Sequence, residues 1–251
     1  MRKFYTLWSR EVAVYFRSPA AYVILFFFLL LTGFNFWSVV NALNRGPSQV
    51  SLVEAYFNNY FFWFGFVLPF PLITMRLFAE EYKLGTIESL MTAPVRDMQV
   101  LLAKYFSAVF FYLVLWLPSF LYFVVFQWQT RLQAATAVGS YLGAYAMLIL
   151  IGLFFLSIGC LASALTRNQV VAAIISFVVI AVIYSWSFLT RLFPNVSSAL
   201  QDLTNYFSAV QHMAQFSQGL FDTRPVVFYL SMTVMMLFFT FQVFQYRRWK
   251  V

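Results

Sequence analysis

The stretch ATAVGSYLGAYAMLILIGLFFLSIGCLASAL, residues 135–165, decides the fold. It contains no Asp, Glu, Lys, Arg or His. About 20 apolar residues suffice for a helix to cross the hydrocarbon layer of a bilayer. A helix that is apolar on every side belongs in a membrane or a large core. Gly139 and Gly143 form G-x-x-x-G, and Gly159 and Ser163 repeat the spacing. Small residues at that interval let helices approach closely. We read them first as packing within the chain, with a subunit contact as the alternative.

Five further runs of this kind flank it: Pro19–Ala42, Tyr60–Leu77, Val100–Phe126, Gln169–Leu189 and Pro225–Phe244. With Ala135–Leu165 as span 4 they make six spans. Pro69, Pro71 and Pro118 fall inside spans 2 and 3, where each removes a helix hydrogen bond and is expected to bend its span. The whole chain supports this class. Of its 251 residues 63% are hydrophobic and 10% are charged, against about a quarter charged in soluble domains. The fold class is therefore an all-α membrane protein, read as one domain over residues 1–251.

The formal net charge is +8. The charges gather at span ends, so they report topology rather than a nucleic-acid partner. Twelve of the 16 basic residues fall on the side that holds both termini; Arg45, Arg131, Arg191 and Arg224 fall on the other. The richer side is expected to be cytoplasmic. Lys104 is counted there as a cation leading into span 3. The first 17 residues lack the apolar core and cleavage site of a signal peptide. Phe4, Leu7, Trp8, Val12 and Tyr15 share one helical face, and Lys3, Thr6, Arg10, Ala13 and Arg17 share the opposite one. Residues 1–18 thus read as an amphipathic helix at the membrane interface, in contact with lipid headgroups. Ser18–Pro19 marks the start of span 1. Residues 190–224, on the outer side, are too apolar for a plain loop. They read as short helices, with Gly219 as a stop and Asp222–Thr223 as a restart.

Few residues offer chemistry. The apolar interiors of the spans read as free of ionisable groups, which counts against an ion-coupled carrier or an intramembrane hydrolase. His212 stands alone in the outer segment and reads as a surface or interface residue. Cys160, the single cysteine, reads as a small apolar residue. No metal-ligand spacing and no G-x-x-x-x-G-K-[ST] phosphate loop occurs, so the chain is expected to bind no cofactor.

The exception is AEEYKLGTIESLMTAPV, residues 79–95, a dense charge cluster between spans 2 and 3. Gly85 breaks the helix that leaves span 2. Thr86 is placed to cap a new short helix with Glu88 in its first turn. Ile87, Leu90 and Met91 give that helix an apolar face, and Pro94 ends it. Acidic and basic residues cancel between Arg76 and Lys104, so the segment suits a specific cytosolic protein better than anionic lipid.

The extended stretch FAEEYKLGTIESLMTAPV resembles the first cytoplasmic loop of the permease subunits of type-2 ATP-binding-cassette (ABC) exporters. Glu81, Gly85, Thr86, Glu88, Leu90, Thr92, Pro94 and Val95 carry the likeness. The N-terminal helix, the six spans and the outer segment extend it over most of the chain. HMAQFSQGLFDTRPVVFYLS, residues 212–231, looks like the gliding-motility-type subgroup. The resemblance implies that residues 78–97 are a coupling segment docking on a cytosolic ABC ATPase dimer. Its docking residues would be Glu80, Glu81, Gly85, Thr86, Ile87, Glu88, Leu90 and Met91. It also implies that ATP and Mg sit on the ATPase, that a second permease (copy or paralogue) completes the assembly, and that the chain lies in a bacterial cytoplasmic membrane. This chain would be non-catalytic. Exporting a lipid-like or amphipathic substrate is the first function expected; few polar residues, such as Asn35 and Asn41, interrupt the spans. Driving an extracytoplasmic accessory protein without transport is the second. In either, residues 200–220 would act as a lid.

Overall fold

The structure, a computed structural model, describes residues 2–45, 50–87, 95–129, 138–187 and 204–248. Among them all regular secondary structure is helical. The order is α1 (Arg2–Arg17), α2 (Pro19–Leu43), α3 (Leu52–Phe57), α4 (Tyr60–Val67), α5 (Pro69–Thr74), α6 (Ala79–Leu84), α7 (Asp97–Gln129), α8 (Val138–Leu165), α9 (Gln169–Trp186), α10 (Ala209–Ser217) and α11 (Thr223–Arg248). Six stretches are long and apolar enough to cross a membrane: α2, Tyr60–Leu84 (α4 to α6), α7, α8, α9 and α11.

The start and stop signals act as the sequence suggests. Ser18 is extended and Pro19 opens α2. The Asn168 side chain accepts from Val170 N–H at 2.9 Å to start α9. Gly219 follows α10 with φ +82°, and the Asp222 carboxylate accepts from Arg224 N–H at 3.0 Å where α11 begins. Span 2 is broken. Pro69 and Pro71 bring no N–H to the ladder, and α4 ends one residue before α5 starts. Pro118 lies inside α7, which remains one element of 33 residues. At helical rise that is about 50 Å, longer than the hydrocarbon layer.

α8 is the centre of the bundle. Of its most apolar window 72% is buried, against 17–22% for α2, α9 and α11. Three glycines on α8 admit three different elements. A Cβ on Gly143 would sit 2.2 Å from the Phe216 carbonyl oxygen of α10, and one on Gly152 would sit 2.4 Å from the Tyr112 ring of α7. A Cβ on Gly159 would sit 2.1 Å from Thr74 Oγ1 of α5. Gly139 has open space where its Cβ would be. The small residues therefore serve packing within the chain, and only Gly143 of the G-x-x-x-G pair takes a neighbour at close range. Tyr105 and Tyr112 reach from α7 to donate to the Leu153 and Leu148 carbonyls of α8, each at 2.9 Å.

At the end of the bundle away from the termini, α3 is a helix that the sequence reading did not assign. Ser51 Oγ accepts from Glu54 N–H at 3.1 Å. Its buried residues include Leu52, Val53, Tyr56 and Phe57. Asn35, one of the few polar residues within the spans, is buried and donates to the Tyr56 carbonyl at 3.2 Å. Gln218 Nε2 donates to Glu54 Oε1 at 2.7 Å, and Asn58 Nδ2 to Ser217 Oγ at 3.3 Å. So α3 and α10 form one cap seated on α8. The expected lid is described from residue 204 onward; Leu200 and Leu203 lie outside the described residues.

Candidate functional site

Both ends of the chain meet at the opposite end of the bundle, around α6. The apolar face of α1 is partly taken by α7: Trp8 packs edge-on against Phe110, and Tyr15 stacks on Phe111 at 5.0 Å. Tyr15 OH donates to the Ile73 carbonyl at 2.8 Å. This places Glu11, one turn before Tyr15, against the bundle.

Lys104 corrects the expectation of ion-free spans. It lies two turns inside α7 with 2% of its side chain exposed. A bare buried ammonium is strongly disfavoured unless paired. Here two carboxylates meet it: Glu81 Oε1 at 2.7 Å and Glu11 Oε2 at 3.1 Å. Arg10 adds a contact to Glu11 at 2.9 Å and a longer one to Glu81 at 3.9 Å. Lys104 Nζ also lies 5.7 Å from the centre of the Phe78 ring. Burial alone would push the Glu11 carboxyl up. Lys104 and Arg10 outweigh it and hold Glu11 below the usual carboxylate range. The cluster is thus a charge-balanced knot of α1, α6 and α7.

Two further ties hold α6. Ser163 Oγ, from the last turn of α8, accepts from the Phe78 and Ala79 N–H groups at 3.0 and 3.1 Å. It also donates to the Met75 carbonyl at 3.2 Å. A helix start leaves its first N–H groups without partners, and here a neighbouring helix supplies the acceptor. From α11, the Arg247 guanidinium lies 4.5 Å from the centre of the Tyr82 ring and donates to the Leu165 carbonyl. Four elements therefore converge on a helix of six residues.

Of the expected docking residues, Glu81 faces inward: Oε1 is on Lys104, and Oε2 is buried without a partner among the described residues. Glu80 is half-buried and lines a cleft beside α1. Gly85 ends α6 in the left-handed conformation at φ +72°. Thr86 is exposed, and Ile87 is buried with the core. Glu88, Leu90 and Met91 lie outside the described residues.

The arrangement offers no nucleophile–base pair, and no group of three or more His, Cys, Asp or Glu placed to hold a metal occurs among the described residues. His212, read as a surface or interface residue, is buried where α10 meets α11, with Nδ1 3.2 Å from Tyr229 OH. Sequence reasoning missed the partnership of Glu11 with Lys104. The available signal was an acidic residue on the same face of α1 as Leu7, Trp8 and Tyr15.

Comparison with known proteins agrees with this assembly of parts. Residues 16–184, about two thirds of the chain, match the family model for ABC-2 family transporter proteins. The match ends before residues 212–231, so the subgroup likeness rests on that stretch alone. A search of curated proteins gives no match. Six apolar spans, a segment between spans 2 and 3 tied into the bundle, and a family match over most of the chain converge: this chain belongs to the ABC-2 family, as a membrane component of an ABC transporter that works with an ABC ATPase subunit.

Proposed function

We propose that this chain is the permease that converts motion of a cytosolic ATPase dimer into rearrangement of the spans, and so drives export of a lipid-like or amphipathic substrate. The observation that carries the proposal is the burial of Lys104 between Glu81 of α6 and Glu11 of α1. Residues 79–95 receive the push on the cytoplasmic side. Because α6 is bonded to α1, α7, α8 and α11, it cannot shift alone without breaking a buried ion pair. Buried pairs are costly to break, so the four elements move together or the push is resisted. Gly85 separates this bonded helix from the docking segment. Among the described residues Lys104 is the one Asp, Glu, Lys or Arg that is buried, and it is already paired with carboxylates, which favours an apolar or amphipathic cargo.

The sparsely covered faces of α2, α9 and α11 leave room for lipid and for a second permease, copy or paralogue. ATP and Mg belong to the partner ATPase in this reading. The chain itself is non-catalytic, sits in a bacterial cytoplasmic membrane, and has both termini inside.

One observation favours a second reading. α8 runs unbroken from Gly143, under the outer cap, to Ser163, at the start of α6. That is about 30 Å of continuous helix, suited to passing force to an extracytoplasmic partner without transport.

The test is co-purification of the full chain with its ATPase, followed by ATPase turnover and vesicle flux. Glu88→Arg should lose the ATPase while the chain stays folded. Glu81→Gln should retain the ATPase and lose stimulation of its turnover. If both variants bind and stimulate like the wild type, residues 79–95 are not the coupling element. Stimulation without flux of any lipid-like cargo selects the force-transmitting reading.

A further inference from the structure

A cleft of about 420 Å³ opens where α1 turns into α2, against the end of span 2. Its polar part holds three arginines, Lys104 and three glutamates. The charges are not equivalent. Glu11 and Glu81 are used by Lys104, and Arg10 by Glu11, while Glu80 has no ion pair among the described residues, so four cations face three carboxylates. Arg17 and Arg76 have no carboxylate within 4 Å among the described residues. Arg76 is held in place by its bond from Nη1 to Ser18 Oγ at 2.9 Å. Its Nε is buried and has no acceptor. A guanidinium so fixed, with an N–H lacking a partner, is suited to an oxyanion.

The same cleft is apolar on its other wall, at Ile24 and Leu72. Those two residues also line a second groove of about 110 Å³ between spans 1 and 2. That groove is lined by Leu31 and Gly65 further along and has no charged residue. A Cβ at Gly65 would come within 3.4 Å of Leu31, so the glycine lets spans 1 and 2 approach beside the groove. The cleft that holds Arg17 and Arg76 therefore continues into an apolar slot that runs up the bilayer.

We propose that this composite cleft binds one anionic phospholipid from the leaflet on the side of the termini. The phosphate sits on Arg17 and Arg76, and one acyl chain lies along the α2–α4 groove. The lipid wedges the α1–α2 elbow against span 2 and so fixes the position of α1. This inference needs neither the ATPase nor any cargo, so its failure leaves the permease reading intact.

The test uses the purified full-length chain in nanodiscs of phosphatidylcholine with or without phosphatidylglycerol. After mild detergent extraction, native mass spectrometry counts the retained lipid. The expected result is one phosphatidylglycerol per chain, retained in preference to phosphatidylcholine. Arg17→Gln with Arg76→Gln should reduce retention about tenfold. Leu72→Trp, which fills the slot and leaves both cations, should also reduce it, and Arg76→Lys should keep part of it. The wild-type comparison of the two lipids needs no variant and stands even if one fails to fold. Equal retention of both lipids, or unchanged retention in the double variant, overturns the proposal. So does displacement of the lipid by inorganic phosphate at equal concentration, which would mark a site for soluble phosphate.

Discussion

Lys104 Nζ lies 2.7 Å from Glu81 Oε1, inside the bundle and 23 residues along the chain from it. One partner is on the helix that leaves span 2 and the other is on the helix that forms span 3. The bond therefore ties the end of span 2 to the start of span 3. With Glu11 as the second acceptor, the same ammonium holds the N-terminal helix. Removing one member leaves a buried charge uncompensated, which typically costs about 3–5 kcal/mol.

The first prediction follows from that asymmetry. Lys104→Met should destabilise the chain by about 3 kcal/mol, because two carboxylates then face each other without their main cation. Combining it with Glu11→Gln and Glu81→Gln should restore most of that loss, since a neutral cluster has no charge to desolvate. Denaturant unfolding in detergent reads both. A single Lys104→Met variant as stable as the wild type would contradict the buried cluster.

The cap formed by α3 and α10 should loosen in acid. Burial pushes the His212 imidazole down to about 4, with the Asp222 carboxylate opposing. In the unfolded chain the imidazole titrates near its ordinary value of about 6.5. Between those values the unfolded state binds more protons, so stability falls as pH falls from 6.5 towards 4 and is fully present above that window. Hydrogen exchange of α10 should rise over this range in the wild type. A His212→Gln variant should show a flatter profile. Equal pH dependence in both would remove His212 as the cause.

The two glycines of one motif should behave oppositely. Gly143→Ala places a methyl 2.2 Å from the Phe216 carbonyl oxygen, and backbone cannot yield as a flexible side chain does. Overpacking of this kind costs about 1–3 kcal/mol. Gly139→Ala meets nothing within 4 Å and should stabilise slightly or leave stability unchanged, because alanine favours the helix. Thermal unfolding of the two variants checks the contrast.

Gly85→Ala isolates conformation from packing. No atom lies within 4 Å of an added Cβ, yet φ is +72°. The left-handed conformation costs an L-residue about 1–2 kcal/mol. The expected result is weaker stimulation of the partner ATPase, with Gly85→Asn retaining more than Gly85→Ala. Equal stimulation by both variants would show that the left-handed turn is dispensable for coupling.

The contrast between what was legible and what was not follows the range of the interactions. The spans were legible because length and apolarity act within one segment. Pro69, Pro71, Gly219 and Asp222 were legible because they punctuate the backbone locally. Helix α3 left a local trace, the Ser51 and Glu54 pair of a capping box, inside a connection to which no element was assigned. Lys104 and Glu11 were not legible in the same way. Each looks like an ordinary charge near a membrane surface, and only packing 93 residues apart in sequence brings them together at 3.1 Å. Glu81 carried the family likeness, but sequence alone did not show that its carboxylate turns inward.

The order of these residues along the chain has a consequence for biogenesis. Glu11 and Glu81 are both synthesised before Lys104. When the third span emerges for insertion, its buried cation arrives at an interface where both counter-charges already wait. A charged group entering the bilayer alone is strongly disfavoured. The nascent chain is therefore spared an intermediate with an unpaired ammonium among the lipid tails. A circular permutation that moved the first two spans behind the third would restore that intermediate and slow insertion, even though the finished bundle would contain the same bonds.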